Sequence, residues 1–595
     1  MSASDVPTSA SAPVPAPASG AAHEPKFTKE EYLKEASCQL RGTISQELQE
    51  DCDNFVEDNA KLLKHHGTYQ QDDKDHRKEK NADGTRKGKA YMFMVRTRVP
   101  GGKVTSDQLL AELDLCERYG NGTLRITSRQ GLQLHGVVKE HLRETIRGIN
   151  HTMLTTLAAC GDVERNVMCC PAPYANNPVR REMQEMADRV AEHLKPRTTA
   201  YYDIWLKDDA GNEIDATEFK PVDEPIYGAR YLPRKFKTAF ALPEDNCVEI
   251  YSNDLGFLAI VEKEKIVGYN VLVGGGMGVT PSAHKTFPAV AQRLAFVPPE
   301  QVVGVAEAIV KVQRDFGNRE DRKVARLKYL IHNWGVPAFK EKVEEYFGHV
   351  LADPRPTNVT DVDDHLGWHE QGDGRLFLGV NVECGRLKDE GDFRIKSAVR
   401  LLLEKYQVRC RLTPMQSLIF CDLEPSERSN IERILIDHGV KLAPELSPLR
   451  RLAIACPAFP TCGLSITESE RVMPELLALI EAELGRLGMP QERIATHMTG
   501  CPNGCARPYT PDIGFVGKTL GKYTIYVGGN LTGSRLAFIY KDLVPFDDLI
   551  TALVPLLTQF KNGRQNGESF GDFCQRLGKE TVVALGESAA APANA

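Results

Sequence analysis

The sequence predicts an α+β protein built from a duplicated unit, and three pairs of similar segments carry that reading. LRITSRQGLQL (124–134) resembles CRLTPMQSLIF (410–420), NDLGFLAI (253–260) resembles PDIGFVGK (511–518), and GYNVLVGGGMG (268–278) resembles KYTIYVGGNLTG (522–533). They recur in the same order in both halves of the chain, as an internal repeat requires. The separations differ, 286 from Arg125 to Arg411 but 258 from Asp254 to Asp512 and 254 from Tyr269 to Tyr523, so the copies have diverged by insertions. Each half opens on a strand-like run, continues as an amphipathic helix and returns to a strand, an α+β pattern of two related halves around a shared interior.

In the first half Thr105 and Gln108 have the spacing of a capping box, and Leu109, Leu110, Leu113 and Cys116 fall on one face of the helix that follows. The second half offers Ala398, Leu401, Leu402 and Leu403 before Tyr406. In the returning strand Leu124, Ile126, Leu132 and Leu134 share one parity, while Arg125, Thr127, Arg129, Gln133 and His135 share the other. An extended segment therefore carries its polar set on one face. That face suits a polyanionic ligand, although a solvated sheet face explains this strand equally well when it is considered alone.

The length of 595 residues corresponds to about three or four compact units, and 42% hydrophobic with 26% charged residues is ordinary globular composition. With 74 Lys and Arg against 81 Asp and Glu, the net charge of -7 argues against nucleic acid as a partner. No run of about 18 apolar residues free of charge occurs, so no membrane helix is expected. The 15 cysteines are an odd number scattered from Cys38 to Cys574, which favours reduced thiols and a cytoplasmic setting over a disulfide framework. Residues 1–22, rich in Ala, Pro and Ser, lack both the apolar core of a secretory signal and the arginines of a transit peptide. A disordered tail over 1–25 is the expectation.

Cys456-x5-Cys462 is followed 39 residues later by Cys501-x3-Cys505, in CPAFPTCGLS and TGCPNGCARP. Structural zinc favours pairs two to four residues apart, which the second pair allows and the first strains. The C-x2-C-x2-C run of bacterial ferredoxins is absent. A [4Fe-4S] cluster held by two separated pairs is the remaining centre, with Pro and Gly beside each pair to make tight turns near the sulfurs. GGGMG (274–278) follows a short strand with no convincing acidic partner after it, and reads as a glycine-rich turn rather than a dinucleotide loop.

With these cysteines, the sequence resembles the sirohaem and iron-sulfur proteins that reduce sulfite or nitrite. RTRVPGG (96–102), RITSRQ (125–130), ERNVMCCP (164–171), YLPRKFK (231–237) and GNREDRKVARLKY (317–329) extend the resemblance over roughly residues 40–585. Within the family, YLPRKFK looks like the sulfite reductases, and RTRVPGG with HGTYQQDD (66–73) looks like the haemoprotein (beta) subunit of the assimilatory NADPH enzyme. GWHEQGDGRLF (367–377) is similar to the ferredoxin-dependent enzymes.

The resemblance implies six-electron reduction of sulfite to sulfide for cysteine biosynthesis. Arg96, Arg165, Lys235 and Lys237 are implied to surround the substrate, and Arg125, Arg129, Gln133, His135, Arg234, Arg326 and Asn503 to neighbour the sirohaem. Cys456, Cys462, Cys501 and Cys505 are implied to bind the cluster, with Cys505 also the axial ligand of the sirohaem iron. No flavin or NADPH module is visible in the sequence, so electrons are expected from a flavoprotein alpha subunit or from ferredoxin. The fold implied is a composite domain of two ferredoxin-like halves (94–157 and 367–443) and two larger α/β lobes binding sirohaem and iron-sulfur cluster (158–366 and 444–595), preceded by a wrapping segment (26–93). The competing readings are a ferredoxin-nitrite reductase and, from a different class, a non-catalytic metal-stabilised binding protein.

Overall fold

The computed structural model describes residues 26–201, 205–207, 213–215, 222–281 and 283–588; the Ala/Pro/Ser tail at 1–25 lies outside the described residues. The first half supplies β1 (Thr68–Asp72), β2 (Tyr91–Thr97), β3 (Lys103–Val104), β4 (Leu124–Ile126) and β5 (Leu132–Val137). The first lobe follows with β6 (Met168–Cys169), β7 (Trp205–Lys207), β8 (Glu213–Asp215), β9 (Thr238–Ala241), β10 (Leu255–Glu262), β11 (Lys265–Val273) and β12 (Gln292–Val297). The second half adds β13 (Gly367–Glu370), β14 (Leu376–Val380), β15 (Arg386–Leu387), β16 (Asp389–Glu390), β17 (Phe393–Arg394), β18 (Cys410–Leu412) and β19 (Leu418–Leu423). The second lobe closes the chain with β20 (Ala453–Ala455), β21 (Thr496–Thr499), β22 (Ile513–Thr519), β23 (Lys522–Val527) and β24 (Phe538–Pro545).

The repeat read from sequence is a repeat of topology. The lobe sheets run β6-β9-β10-β11-β12 and β20-β21-β22-β23-β24. In each, the first three strands are parallel and the last two join antiparallel. The matched segments fall at equivalent places, 253–260 and 511–518 on β10 and β22, 268–278 and 522–533 on β11 and β23, and 124–134 and 410–420 on the hairpins β4–β5 and β18–β19.

The halves share one core, in which Leu109, Leu113 and Leu134 of the first pack with Ala398, Leu402 and Leu418 of the second. Thr105 and Gln108 form the expected capping box of helix Ser106–Arg118. On helix Ile395–Tyr406, Ile395, Val399 and Leu402 face inward, whereas Leu401, expected on that face, stands 39% exposed because one further step of about 100° turns it away.

The half-sheets exchange strands. Their orders are β1-β2-β5-β4-β15 and β13-β14-β19-β18-β3, so the third strand of each half completes the sheet of the other. Arg386 pairs with Arg125 across β15–β4, and Arg411 with Lys103 across β18–β3. Before each exchanged strand a glycine passes close to its neighbour's backbone. A Cβ on Gly102 (φ +71) would lie 2.3 Å from the Leu412 carbonyl oxygen, and one on Gly385 (φ +77) would lie 2.2 Å from that of Ile126. The segment 26–93 ends inside β2 and contributes β1, paired from Thr68↔Val95 to Asp72↔Tyr91, so it builds the first sheet as well as lying against the first lobe, where Lys34 Nζ donates to Leu232 O at 2.6 Å. No helix among the described residues is long and apolar enough to cross a membrane.

The two crossover glycines are matched in constraint, so Gly102→Ala and Gly385→Ala are expected to destabilise the protein by similar amounts, at least about 2 kcal/mol each. Gly485→Ala, with open space beside a helical backbone, is the control and should be neutral or slightly stabilising. Thermal melting of the three variants checks this, and a crossover variant that melts like the parent speaks against it.

Candidate functional site

A cavity of about 610 Å³ lies between the half-domain sheets and the lobes, and all the site residues expected from sequence line it except Arg326. Among the described residues, eleven Lys and Arg side chains face it against two carboxylates, Glu30 and Asp162. Asp162 is held well below the usual carboxylate range: burial opposes its charge, but Arg322 at 2.8 Å and Lys34 at 3.6 Å outweigh it. Lys61 pairs with Glu30 at 3.4 Å. Lys235 and Lys237 have no such partner among the described residues.

Strand parity places the first set. Phe236 forms a parallel bridge with Glu164 and is 1% exposed in the core, so Lys235 and Lys237 on either side of it point into the cavity. Neither ammonium group has a hydrogen bond or ion pair among the described residues. Burial, with Arg165, Arg234 and Arg326 nearby, lowers Lys235 to about 7. Burial and then Arg129, Arg326 and Lys235 hold Lys237 well below the usual lysine range. Unpaired cations in this surrounding are costly unless an anion joins them.

Arg96 leaves β2 and donates from Nη1 to Cys160 Sγ at 2.8 Å. With the Gln133 amide turned so that its oxygen faces Arg96, that oxygen accepts from Nη2 at 2.6 Å and Nε at 3.2 Å. Arg165 donates through Nε and Nη2 to Gly161 O at 3.2 and 3.1 Å. The segment expected as one extended strand is instead a hairpin, in which Gln133 sits opposite Arg125 in the β4–β5 register and so shares its face. Arg125 is 2% exposed and firmly tied: Nη2 donates to Cys384 O and Ala455 O at 3.0 and 2.8 Å, and Nε lies 2.9 Å from Glu470. It therefore locks the exchanged strand to the residue before Cys456. His135 accepts at Nδ1 from Arg386 at 3.1 Å and is held neutral by burial and then by Arg386 and Arg125. Arg129 reaches out of the β4–β5 turn to Asn253 Oδ1 at 2.7 Å and Asn166 O at 2.6 Å, and burial lowers it to about 9.

Arg326 is the exception. It is turned onto Asp254, 72 residues away in sequence, with Nε at 3.2 Å and Nη2 at 2.5 Å from the carboxylate. The glycine-rich loop covers this pair. A Cβ on Gly275 would lie only 2.2 Å from Tyr251 O, so that position admits no side chain, and one on Gly276 would lie 2.5 Å from Arg326 Nη1 and displace the guanidinium. Lys328 Nζ donates to the Gly276 and Gly278 carbonyls at 3.0 and 2.8 Å, and Val279 N to Pro502 O at 2.9 Å. GGGMG thus braces the second cysteine loop.

The cysteines sit on loops leaving the carboxyl ends of two adjacent parallel strands, where open α/β sheets collect their ligands. Cys456 directly follows β20, and Cys501 stands two residues beyond β21. Gly500 N donates to Cys456 Sγ at 3.3 Å, and Asn503 Nδ2 to Cys501 Sγ at 3.4 Å. Burial and then Cys505 push Cys501 up to about 12, the state of a thiol that ionises only when a cation accepts it. Cys505 is exposed toward the cavity. Four cysteines on one cavity, with a backbone donor at Cys456 and a side-chain amide donor at Cys501, fit an iron-sulfur cluster, and a wall with eleven cations against two carboxylates fits a polycarboxylate macrocycle such as sirohaem.

Sequence reasoning missed Lys34, Lys61, Lys64 and Arg322 on the cavity wall. Arg322 and the neighbourhood of Lys64 lie in or beside the motifs GNREDRKVARLKY and HGTYQQDD; Lys34 and Lys61 carry no local signal.

Comparison with known proteins places this geometry in context. A model of the nitrite and sulphite reductase 4Fe-4S domain matches residues 185–351 and 449–590, and one of the nitrite/sulfite reductase ferredoxin-like half domain matches 85–151 and 369–438. A sulfite reductase [NADPH] hemoprotein beta-component from Staphylococcus saprophyticus is 43% identical over 95% of this chain and 98% of its own. A sulfite reductase [ferredoxin] from Synechococcus elongatus is 42% identical over 95% of this chain and 91% of its own. The solved structure of the Mycobacterium tuberculosis NirA protein superposes with a TM-score of 0.76 at 26% identity, covering 93% of this chain and 97% of that one.

An anion entering the cavity raises the Lys235 value from about 7, and so takes up a proton near neutral pH. Sulfate, whose own charge is constant in this range, should therefore raise the melting temperature of the cofactor-free chain more at pH 6, where Lys235 is charged, than at pH 8. Lys235→Met should narrow the difference. Equal shifts of the parent at both pH values count against the unpaired lysine.

Proposed function

The chain belongs to the nitrite and sulphite reductase family, and from that premise we propose that it is a sulfite reductase haemoprotein working for cysteine biosynthesis. Sulfite, six electrons and seven protons give hydrosulfide and three waters. The observation that supports this most directly is the convergence of two unpaired lysines, Arg96 and Arg165 with four cysteines on one cavity.

Cys456, Cys462, Cys501 and Cys505 would hold the [4Fe-4S] cluster, and Cys505, exposed toward the cavity, would also serve the sirohaem iron. Bound together, the two groups supply the electrons and a place for the sulfur of sulfite. Arg129, Arg234, Gln133, His135 and Asn503 border the macrocycle. Its eight carboxylates answer the excess of cations, and Arg125, occupied by Glu470 and two carbonyls, contributes through the strand it fixes. Arg96 and Arg165 clamp sulfite oxygens by charge-assisted bonds, each guanidinium oriented by its own fixed acceptors, Gln133 and Gly161 O. Lys235 Nζ and Lys237 Nζ deliver protons to oxygens leaving as water. Low proton affinity suits that task, because each ammonium group gives up its proton readily and is recharged from solvent.

The electrons come from a separate carrier protein. HGTYQQDD and RTRVPGG favour the flavoprotein of an NADPH-dependent enzyme over ferredoxin, and steady-state reduction with each donor in turn decides between them. The reaction itself is tested with reduced viologen: sulfide should form from sulfite faster than ammonia forms from nitrite in competition, and preference for nitrite would overturn the assignment. Lys237→Ala is expected to lower sulfite turnover by about a hundredfold or more while sirohaem and iron contents stay at parental levels. Undiminished turnover would remove that lysine from proton delivery.

A further inference from the structure

A second group of metal-ligating side chains lies inside the first lobe, and none of its members lines the cationic cavity. Cys170 directly follows β6, Asp245 and Cys247 sit in the loop after β9, and His365 precedes β13. One ligand atom from each lies within 4.8 Å of every other, and all four residues are buried.

Their place in the repeat is informative. β6 and β9 are the counterparts of β20 and β21. Cys170-Pro171-Ala172 follows β6 as Cys456-Pro457-Ala458 follows β20, and Cys247 stands before Asp254 at the same spacing as Cys505 before Asp512. Duplication therefore sets Cys170 and Cys247 where the other lobe has two of its four cysteines. Pro243 replaces the counterpart of Cys501, and the remaining donors are Asp245 and His365. The four ligand atoms are too close for a four-iron cube, which takes one ligand on each of four separate irons. They are spaced for a single ion.

We propose that Cys170, Asp245, Cys247 and His365 bind one zinc ion, a site descended from the same pair of loops as the four-cysteine set. Zinc bonds of about 2.0–2.3 Å in a tetrahedron give ligand-to-ligand edges of about 3.3–3.8 Å. Cys170 Sγ to His365 Nε2 is 3.6 Å and His365 Nε2 to Asp245 Oδ2 is 3.2 Å. Cys170 Sγ to Asp245 Oδ2, at 2.8 Å, opens by about half an ångström as the ion enters.

The surroundings fit as well. His365 turns Nδ1 toward Asp363 Oδ2 at 3.4 Å, and its backbone N donates to Asp363 Oδ1 at 2.9 Å, the carboxylate–histidine arrangement that aims Nε2 at a metal. It is held there with φ +58, a backbone region uncommon for a residue with a side chain. Two thiolates and a carboxylate around a divalent ion leave one negative charge. Arg180 supplies the compensating cation, with Nη1 2.6 Å from Cys170 Sγ and 2.9 Å from Asp245 Oδ2. The thiol protons and the proton on His365 Nε2 leave to solvent as zinc binds, and no electron moves.

The test counts zinc beside iron by plasma mass spectrometry in the holoenzyme, after dialysis against zinc and then against a chelator, and reads the ligands by zinc K-edge absorption. About one zinc per chain is expected, with two sulfurs near 2.3 Å and two nitrogen or oxygen ligands near 2.0–2.1 Å. It should fall at least tenfold in Cys247→Ser and in His365→Ala, and persist in Cys505→Ser. Less than about a tenth of an equivalent in the parent overturns the site. So does zinc with four sulfur neighbours, which has entered the other cysteine set, or zinc unchanged in both variants. If both variants fail to fold, the absorption spectrum of the parent decides alone. No readout depends on turnover, so failure of sulfite reduction leaves this result standing.

Discussion

Mutual repulsion among cations facing one cavity is the constraint on which the rest of the architecture rests. Burial weakens the screening that would let Lys235 and Lys237 sit beside Arg165, Arg234 and Arg326, and Asp162 on the same cavity is already matched by Arg322 and Lys34. Such a site must be held open by structure that does not itself relax toward the charges. The duplicated sheets do this. Arg125 and Arg129 spend their donors on backbone carbonyls and on Glu470 and Asn253, so the polar face of β4–β5 is fixed before any ligand arrives.

Duplication also explains why the two lobes differ in chemistry while agreeing in topology. A parallel strand pair with loops at its carboxyl ends is a general place for ligands. In the second lobe those loops carry four cysteines facing the cavity; in the first, the loop after β9 carries buried donors, and the residues leading into β9 present lysines to the cavity instead. Cavity lysines and cavity cysteines are thus divided between copies of one unit.

What the sequence disclosed followed the range of its signals. The cysteine pairs were legible because each lies within one loop, and Lys235 and Lys237 because they stand in YLPRKFK, one of the motifs that carry the family resemblance. The ion pair of Arg326 with Asp254 was not legible, because that partner is 72 residues away in sequence and is brought near only by the fold. Lys34 and Lys61 stayed hidden because they sit on short helices of the N-terminal segment with no local pattern that distinguishes them from ordinary surface lysines. The repeat was visible in longer strands such as β10 and β22, whereas the exchange of β3 and β15 rests on two-residue strands, too short for any periodicity. Leu401 shows the same limit at the scale of one helical step.

The exchange of β3 and β15 bears on how this chain is made. A sheet whose first strand emerges at residue 68 stays open at one edge until residue 386 has been synthesised, and its partner sheet in turn needs residue 103 to have been kept free. Neither half can finish on the ribosome by itself. Folding must wait for most of the polypeptide, with sequence-distant pairing making it slow and an unpaired strand edge exposed meanwhile. Newly made chains are therefore natural clients for chaperones, and the cofactors can be loaded only after synthesis is nearly complete.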